Sequence, residues 1–473
     1  MSVITPSHLG DALRGALGHL DGDLQLPGHP GWDAARASWN LAVDQHPVAV
    51  VHAGSAADVA ATVLAASRLG LQVAAQATGH AAGVLDDLDN TILVRTDRLG
   101  GVEIDPVAMI ARVGAGVRWG QVSEAAARHG LAALAGSSPD VGVVGYTLGG
   151  GLGWLSRSHG LAANSVTAIE LVTADGRARR VTERPPGQQG SARQDDEDAD
   201  LWWALRGGGG APGVVTAIEF RLYPVAEVHA GALWWPIERA HEVAHAWRQW
   251  IGTVPTSVTS HLRLLRLPPL PDLPEFLQGR SLVKIEAALQ ETAEEADRIL
   301  MPLRALAPQL ETFGRTPVAR LAELHMDPPG PIPALGDGAV LRSLDRATID
   351  AFLSAAGPDN PAAAPLLSAE IRHLGGELSP QRGEGGAIAS VAGEGIFHAV
   401  GIAPAPAAGA VAAAVTQALA HLETVRAETD CLNFAETRRS PQRLFGASLE
   451  RLRRITQSMD PAGVIRAQHS LWP

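Results

Sequence analysis

Three groups of residues in this 473-residue chain have the types and spacing to do chemistry. The first is the bend Gln76-Ala77-Thr78-Gly79-His80-Ala81, where a glycine delivers an imidazole. A neutral imidazole can attack an electrophilic carbon or take a proton. The second is GSSPDVGVVGYTLGGGLG over 136–153, whose candidate binding positions are Ser137, Ser138, Val141, Gly142, Gly145, Tyr146, Thr147, Gly149, Gly150, Gly151 and Gly153. Residues without a Cβ let backbone N–H groups approach a diphosphate closely. The third is Glu370-x-Arg372-His373 together with His398, a carboxylate and two imidazoles able to accept a proton. Strand alternation puts Glu370 and Arg372 on one face and His373 on the other.

The elements that must position these groups follow from local pattern. Pro47 to Val51 and Leu71 to Ala77 read as buried strands, the second running into the His80 bend. Between them, Ser55 with Asp58 resembles a capping box, Ala57 to Leu69 has helical spacing, and Gly70 stops the helix. Further strands are expected at 92–94, 102–104, 110–113 and 169–173, with a helix at 119–129 and an Asp175-Gly176 hairpin turn into 178–181. The glycine stretch is read as a loop without regular structure, and 183–200 as a solvated loop. From about Ala226 helices (237–250, 287–306, 347–355) alternate with strands (258–265, 281–285, 366–373, 395–402), which reads as a second α+β unit. The helix 411–422 follows, and the tail from Asp430 is expected as strand, loop and the helix 447–459.

Composition removes several classes. The net charge of −12 argues against nucleic acid or an anionic membrane as partner. Cys431 is the only cysteine, so an internal disulfide and a cysteine metal cluster are both excluded, and no metal is expected. Lys284 is the only lysine, which leaves little scope for Schiff-base chemistry. No apolar run approaches the roughly 20 residues of a membrane span. The first 20 residues, interrupted by His8, Asp11, Arg14 and His19, predict no export leader and hence a cytoplasmic protein. Gly208-x-Gly210-x-x-Gly213 matches the dinucleotide fingerprint in letters, but helix-like WWALR precedes it and strand-like VVTAIEF follows, the reverse of a Rossmann turn.

Three blocks in order then carry a resemblance. AAQATGH at 74–80 looks like an R-x-G-G-H segment, 136–162 is similar to a flavin loop, and DLWWALRGGGGAPGVVTAIEFRLYP at 200–224 resembles a D-L-x-W-A-x-R-G-G-G run. The tail, from Leu432-Asn433-Phe434 to Asp460-Pro461 and Arg466, fits as well. Together they resemble the FAD-linked oxidases of the vanillyl-alcohol oxidase / p-cresol methylhydroxylase superfamily, in the berberine-bridge-enzyme-like branch. The resemblance implies an α+β fold. Its p-cresol-methylhydroxylase-type FAD domain is split in sequence (1–225 and 430–473) around a substrate domain (226–429) whose antiparallel sheet covers the flavin.

The resemblance also implies roles. His80 would hold the flavin covalently through the 8α-methyl, and Ser138, where many relatives have a second linking cysteine, leaves a single bond. Val141 would favour dioxygen as acceptor. Val215 and Ile218 would line the adenine side or serve only as core, Asn433 would reach the pocket or close a turn, and Cys431 would be a buried small residue. His373 and His398 match family histidines, with Glu370 and Arg372 beside them. The expected activity is hydride transfer from a small alcohol, sugar or amine-like molecule to flavin N5 and then to dioxygen. The alternatives are a dehydrogenase with another acceptor, a flavin binder without catalysis, or the cell-wall precursor reductase that shares the flavin domain.

Overall fold

A computed structural model of the protein describes residues 6–85, 87–183, 192–271, 273–381 and 385–473. Its strands form three sheets. The first has β1 (Asp23–Gln25), β2 (Ala49–His52), β3 (Gln72–Gln76) and β4 (Thr91–Arg95) in the order β1-β2-β4-β3. The second has β5 (Val102–Asp105), β6 (Ile110–Gly114), β7 (Val166–Thr173), β8 (Ala178–Thr182) and β9 (Gly213–Arg221) in the order β5-β6-β9-β7-β8. The third has eight strands: β10 (Glu227–Pro236), β11 (Val258–Arg266), β12 (Ser281–Leu289), β13 (Leu310–Glu311), β14 (Gly314–Pro317), β15 (Ala334–Leu341), β16 (Ser368–His373) and β17 (Gly395–Ile402). Its path is β13-β10-β12-β11-β16-β17-β15, with β14 also on β10, and every pair is antiparallel.

Local signals explain the entry to the first bend. Helix Ala56–Leu69 is capped by Ser55, whose side chain accepts from Asp58 N, and closed by Gly70 in the left-handed region (φ 69°). β3 follows, and its pairing to β4 in parallel delivers residues 77–80 at the strand's C-terminal end. The Asp175-Gly176 turn joins β7 to β8, with Gly176 at φ 76°.

Four expectations are corrected. The glycine stretch contains a six-residue helix, Val143–Leu148, because the glycines crowd after it and only Gly145 lies inside it. Residues 184–191 of the expected 183–200 loop lie outside the described residues. Ala192–Leu205 is a helix in which Glu197 (3.2 Å) and Asp198 (2.5 Å) accept from Arg179, while Leu201 and Leu205 are buried. The expected helix at 287–306 begins only at Ala293, capped by Thr292, since Ala287 to Leu289 complete β12. The tail opens on a 3-10 turn, Leu432–Phe434, rather than a strand. Among the described residues no helix is long and apolar enough to cross a membrane.

The eight-stranded sheet has two unlike faces. Leu262, Leu264, Val283, Ile285, Ala369, Ile371, Phe397 and Ala399 point into a core with the helices at 240–251, 293–304, 346–356 and 408–421. The alternate residues form two cross-strand rows on the other face. One row runs Lys284, Arg263, Glu370, His398 and Gly338, and the next runs Glu286, His261, Arg372 and Ile396. Period-two alternation makes this unavoidable once one face is apolar.

Candidate active site

The two glycine-rich bends meet. A Cβ added at Gly142 would stand 3.0 Å from the Ala77 Cβ and 3.9 Å from Thr78 Oγ1. The second bend is drawn tight enough to need its glycines. A Cβ at Gly153 would lie 1.8 Å from Ala135 O, and one at Gly151 (φ 78°) would lie 2.6 Å from the Tyr146 ring. Gly149 and Gly150 are buried beside them, while Gly145 is exposed. Tyr146 is a structural post: its hydroxyl donates to Leu134 O and its ring meets Trp119 edge-on. The Thr147 hydroxyl donates to Val143 O within the helix. Val141 is partly buried against the core, and its carbonyl accepts from Trp119 N.

Asn433 ties the tail to this bend. Its Oδ1 accepts from Gly151 N at 2.9 Å and its Nδ2 donates to Tyr146 O at 3.0 Å. Val215 and Ile218 are both buried within the core cluster of the first two sheets. Cys431 is buried, and burial pushes its thiol up to about 11, so it behaves as a small apolar residue.

His80 sits in the first bend, its ring stacked on Trp39 at 4.1 Å and its Nδ1 2.8 Å from Thr78 Oγ1. Its Nε2 is buried with no hydrogen-bond partner. Burial lowers the imidazole to about 4, so it is neutral at neutral pH. His80 lines a cleft of about 430 Å³ with Ala81, Gly336 and Glu436.

The charged sheet face lies against the second bend. Arg372 Nη1 donates to Ser137 Oγ at 3.3 Å, and its guanidinium covers the Phe434 ring at 4.9 Å. Arg372 Nε donates to Glu370 Oε1 at 2.7 Å. Burial pushes the Glu370 carboxyl up, but Arg372, His325 and Arg263 outweigh it and hold it well below the ordinary range. His398 Nε2 is 2.7 Å from Glu436 Oε1, and its Nδ1 is 4.0 Å from Glu370 Oε1. Burial opposes protonation of His398, yet Glu436 and Glu370 raise it overall. So Glu370, Arg372 and His398 are brought together. His373 is not bonded to them: at the strand's end its Nδ1 accepts from Arg157 Nη1 at 2.8 Å.

Two participants carry no sequence signal of their own. Glu436 enters through its position three residues after Asn433. His325, outside any strand, inserts its ring between Glu286 (2.5 Å) and Glu370 (3.1 Å). His261, Glu286, His325 and Glu370 each offer a ligand atom within 4.8 Å of the others. Lys284 pairs with Glu286, Arg263 lies 3.3 Å from Glu370, and Arg372 bonds Glu370. Three cations already face two carboxylates, so a divalent ion would add charge to a site with a positive surplus. The group is an ion-pair lattice.

The described residues fit a flavin dinucleotide on two observations: a tight bend in which a Cβ at Gly142, Gly149, Gly151 or Gly153 would crowd its neighbours, and a buried imidazole nitrogen left without a partner. A family profile described as an FAD binding domain matches residues 47–182. The chain is 33% identical over 217 residues to (R)-6-hydroxynicotine oxidase of Paenarthrobacter nicotinovorans, covering 46% of this chain and 45% of that protein. It is 31% identical over 221 residues to glucooligosaccharide oxidase of Sarocladium strictum, covering 46% and 42%. The match thus spans less than half the length of these curated relatives. The solved structure of BBE-like 1 of Physcomitrella patens superposes with a TM-score of 0.81 at 19% identity, covering 97% of this chain and 98% of that one. The chain thus carries a match to an FAD binding domain over residues 47–182 and shares the fold of that berberine-bridge-enzyme-like structure.

Proposed function

We propose that the chain is an FAD-dependent oxidase of a small alcohol, sugar or amine-like substrate, with its flavin bonded to His80. Residues 1–225 and 430–473 form the FAD domain, and 226–429 form the substrate domain. A bound flavin would supply a two-electron acceptor at N5 that dioxygen could reoxidise. The observation that carries this reading is the meeting of the two bends beside an imidazole whose Nε2 has no partner.

The chain's residues divide the remaining work. Backbone of 142–151 receives the diphosphate and ring. Glu436, at the cleft, takes the proton that the substrate releases, and His398 behind it shares that proton through the 2.7 Å contact. Glu370 and Arg372 position His398 and the Ser137 turn. Val141, a small side chain, leaves dioxygen room to approach. The named relatives, oxidases of a nicotine derivative and of oligosaccharides, support this substrate range. Acid precipitation of the purified protein tests the link. Yellow colour should stay in the pellet and map to the His80 peptide, whereas colour entirely in the supernatant refutes the covalent bond.

A further inference from the structure

The interior of β15 carries Gly336-Asp337-Gly338, which strand propensity does not explain. Glycine weakens a strand and marks a place where another backbone comes close. Here that backbone is the tail. A Cβ at Gly338 would stand 2.9 Å from Phe434 O. One at Gly336 would stand 3.2 Å from Glu436 Oε2 and 3.2 Å from His398 Nε2. Between the two glycines, Asp337 is only 2% exposed.

A carboxylate buried that deeply needs donors. Asp337 Oδ1 accepts from Glu436 N at 3.1 Å and from Gly338 N at 2.9 Å. Its Oδ2 accepts from Thr437 Oγ1 at 2.6 Å and from Arg439 Nη2 at 2.5 Å. Three of these four donors belong to residues 436–439, the turn that brings Glu436 to the cleft. A bond to the N–H of Glu436 itself fixes where that side chain starts. From there Glu436 Oε1 meets His398 Nε2 at 2.7 Å, and Oε2 lies beside Gly336, which lines the same cleft.

We propose that Asp337 is a positioning residue for the proton-accepting pair: its carboxylate clamps the 436–439 turn so that Glu436 reaches both His398 and the cleft. This rests on the reading of Glu436 as proton acceptor and adds the residue that sets it in place. Asp337 transfers no proton and acts through Glu436. The groups that face His398 make the clamp measurable. Burial opposes its protonation, as does Arg372 of β16, while Glu436 from the tail and Glu370 of β16 favour it and prevail. Its partner across the β15–β17 ladder is Gly338, which has no charge. A loosened clamp lets Glu436 draw away, so His398 should then give up its proton at lower pH.

The test follows the His398 ring by NMR across pH in the purified, flavin-loaded protein, with the signal assigned by its loss in His398→Gln. Glu436→Gln gives the full downward shift caused by losing the carboxylate. Asp337→Asn, close in size, should reproduce most of that shift. Thr437→Val, which removes one donor and no charge, should give a smaller one. Added to Glu436→Gln, Asp337→Asn should shift nothing further, because the two act on one contact. Arg439 Nε lies 3.4 Å from Asp430 Oδ2, so Asp337→Asn leaves that guanidinium a carboxylate. A titration unchanged by Asp337→Asn overturns the clamp. So does an equal shift with and without Glu436, the mark of a direct charge effect. Should Asp337→Asn not fold, Thr437→Val decides by the same two outcomes. Near-wild-type turnover by Glu436→Gln overturns Glu436 as acceptor, and with it the part of Asp337 in catalysis, while the titration still reports on the clamp.

Discussion

The glycine bends pack with little side-chain bulk, whereas the sheet beside them carries Arg263, Lys284, Glu286, Glu370, Arg372 and His398 on one face. On the first side the fit is made of backbone and close contact: Gly153 against Ala135 O, Gly142 against Ala77. On the second it is made of charges that neutralise one another across strands. Under the proposed function the contrast follows from the tasks: a diphosphate and a flat ring would be held by amide groups and shape, while a proton leaving a substrate would be managed by groups that titrate. The first side should therefore fail when atoms are added, and the second when a charge is removed.

The largest effect is expected on the charged side. Glu370→Ala would leave Arg372 and Arg263 buried without their carboxylate and should cost about 3–5 kcal/mol in denaturant unfolding. A loss under about 1 kcal/mol would show that the lattice is wet and loosely coupled. The same pairing sets an acid dependence. The folded Glu370 and Glu286 carboxyls lie below their ordinary 4.5, so their contribution is full above that value and is lost as the pH falls below it. Next, Glu436→Gln keeps the shape but not the base, and should lower kcat/KM by about 10² to 10⁴ with folding intact. Near-wild-type turnover would move the proton acceptor elsewhere. The smallest change is Gly153→Ala, a single methyl on the backbone side. It should cost about 1–3 kcal/mol and weaken flavin retention, read by thermal unfolding and by the absorbance ratio of flavin to protein. Full tolerance would mean that the bend is looser than its contacts imply.

The backbone side was largely legible in the sequence because its signals are local. Ser55 and Gly70 bracket a helix, Gln76 to His80 follow a strand, and the glycines of 136–153 stand in one run. The helix inside that run escaped notice because its six residues are flanked by glycine on both sides. The charged side was legible only in part. Strand alternation placed Glu370 and Arg372 together, but Lys284 and Glu286 alternate with Val283 and Ile285 as any solvated strand would. Their burial arises because residues 318–325 lie across them: Lys284 Nζ donates to Leu324 O and Arg263 Nη1 to His325 O. That cover is tertiary, as is the meeting of Glu436 with His398. The last turn of the helix 192–205 reads as helical in the sequence, with Leu201 and Leu205 buried, but the acidic run before it made its first half look like a solvated loop.

Lys284, the chain's one lysine, is 1% exposed at its side chain, clasped between Glu286, Leu324 O and the Trp234 ring. Reagents that acylate primary side-chain amines therefore find no target on the native surface. Label arriving at residue 284 would count openings of the eight-stranded sheet, which makes this protein its own reporter of local unfolding. Attachment to beads, dyes or crosslinkers by lysine chemistry would select for molecules that have already come apart.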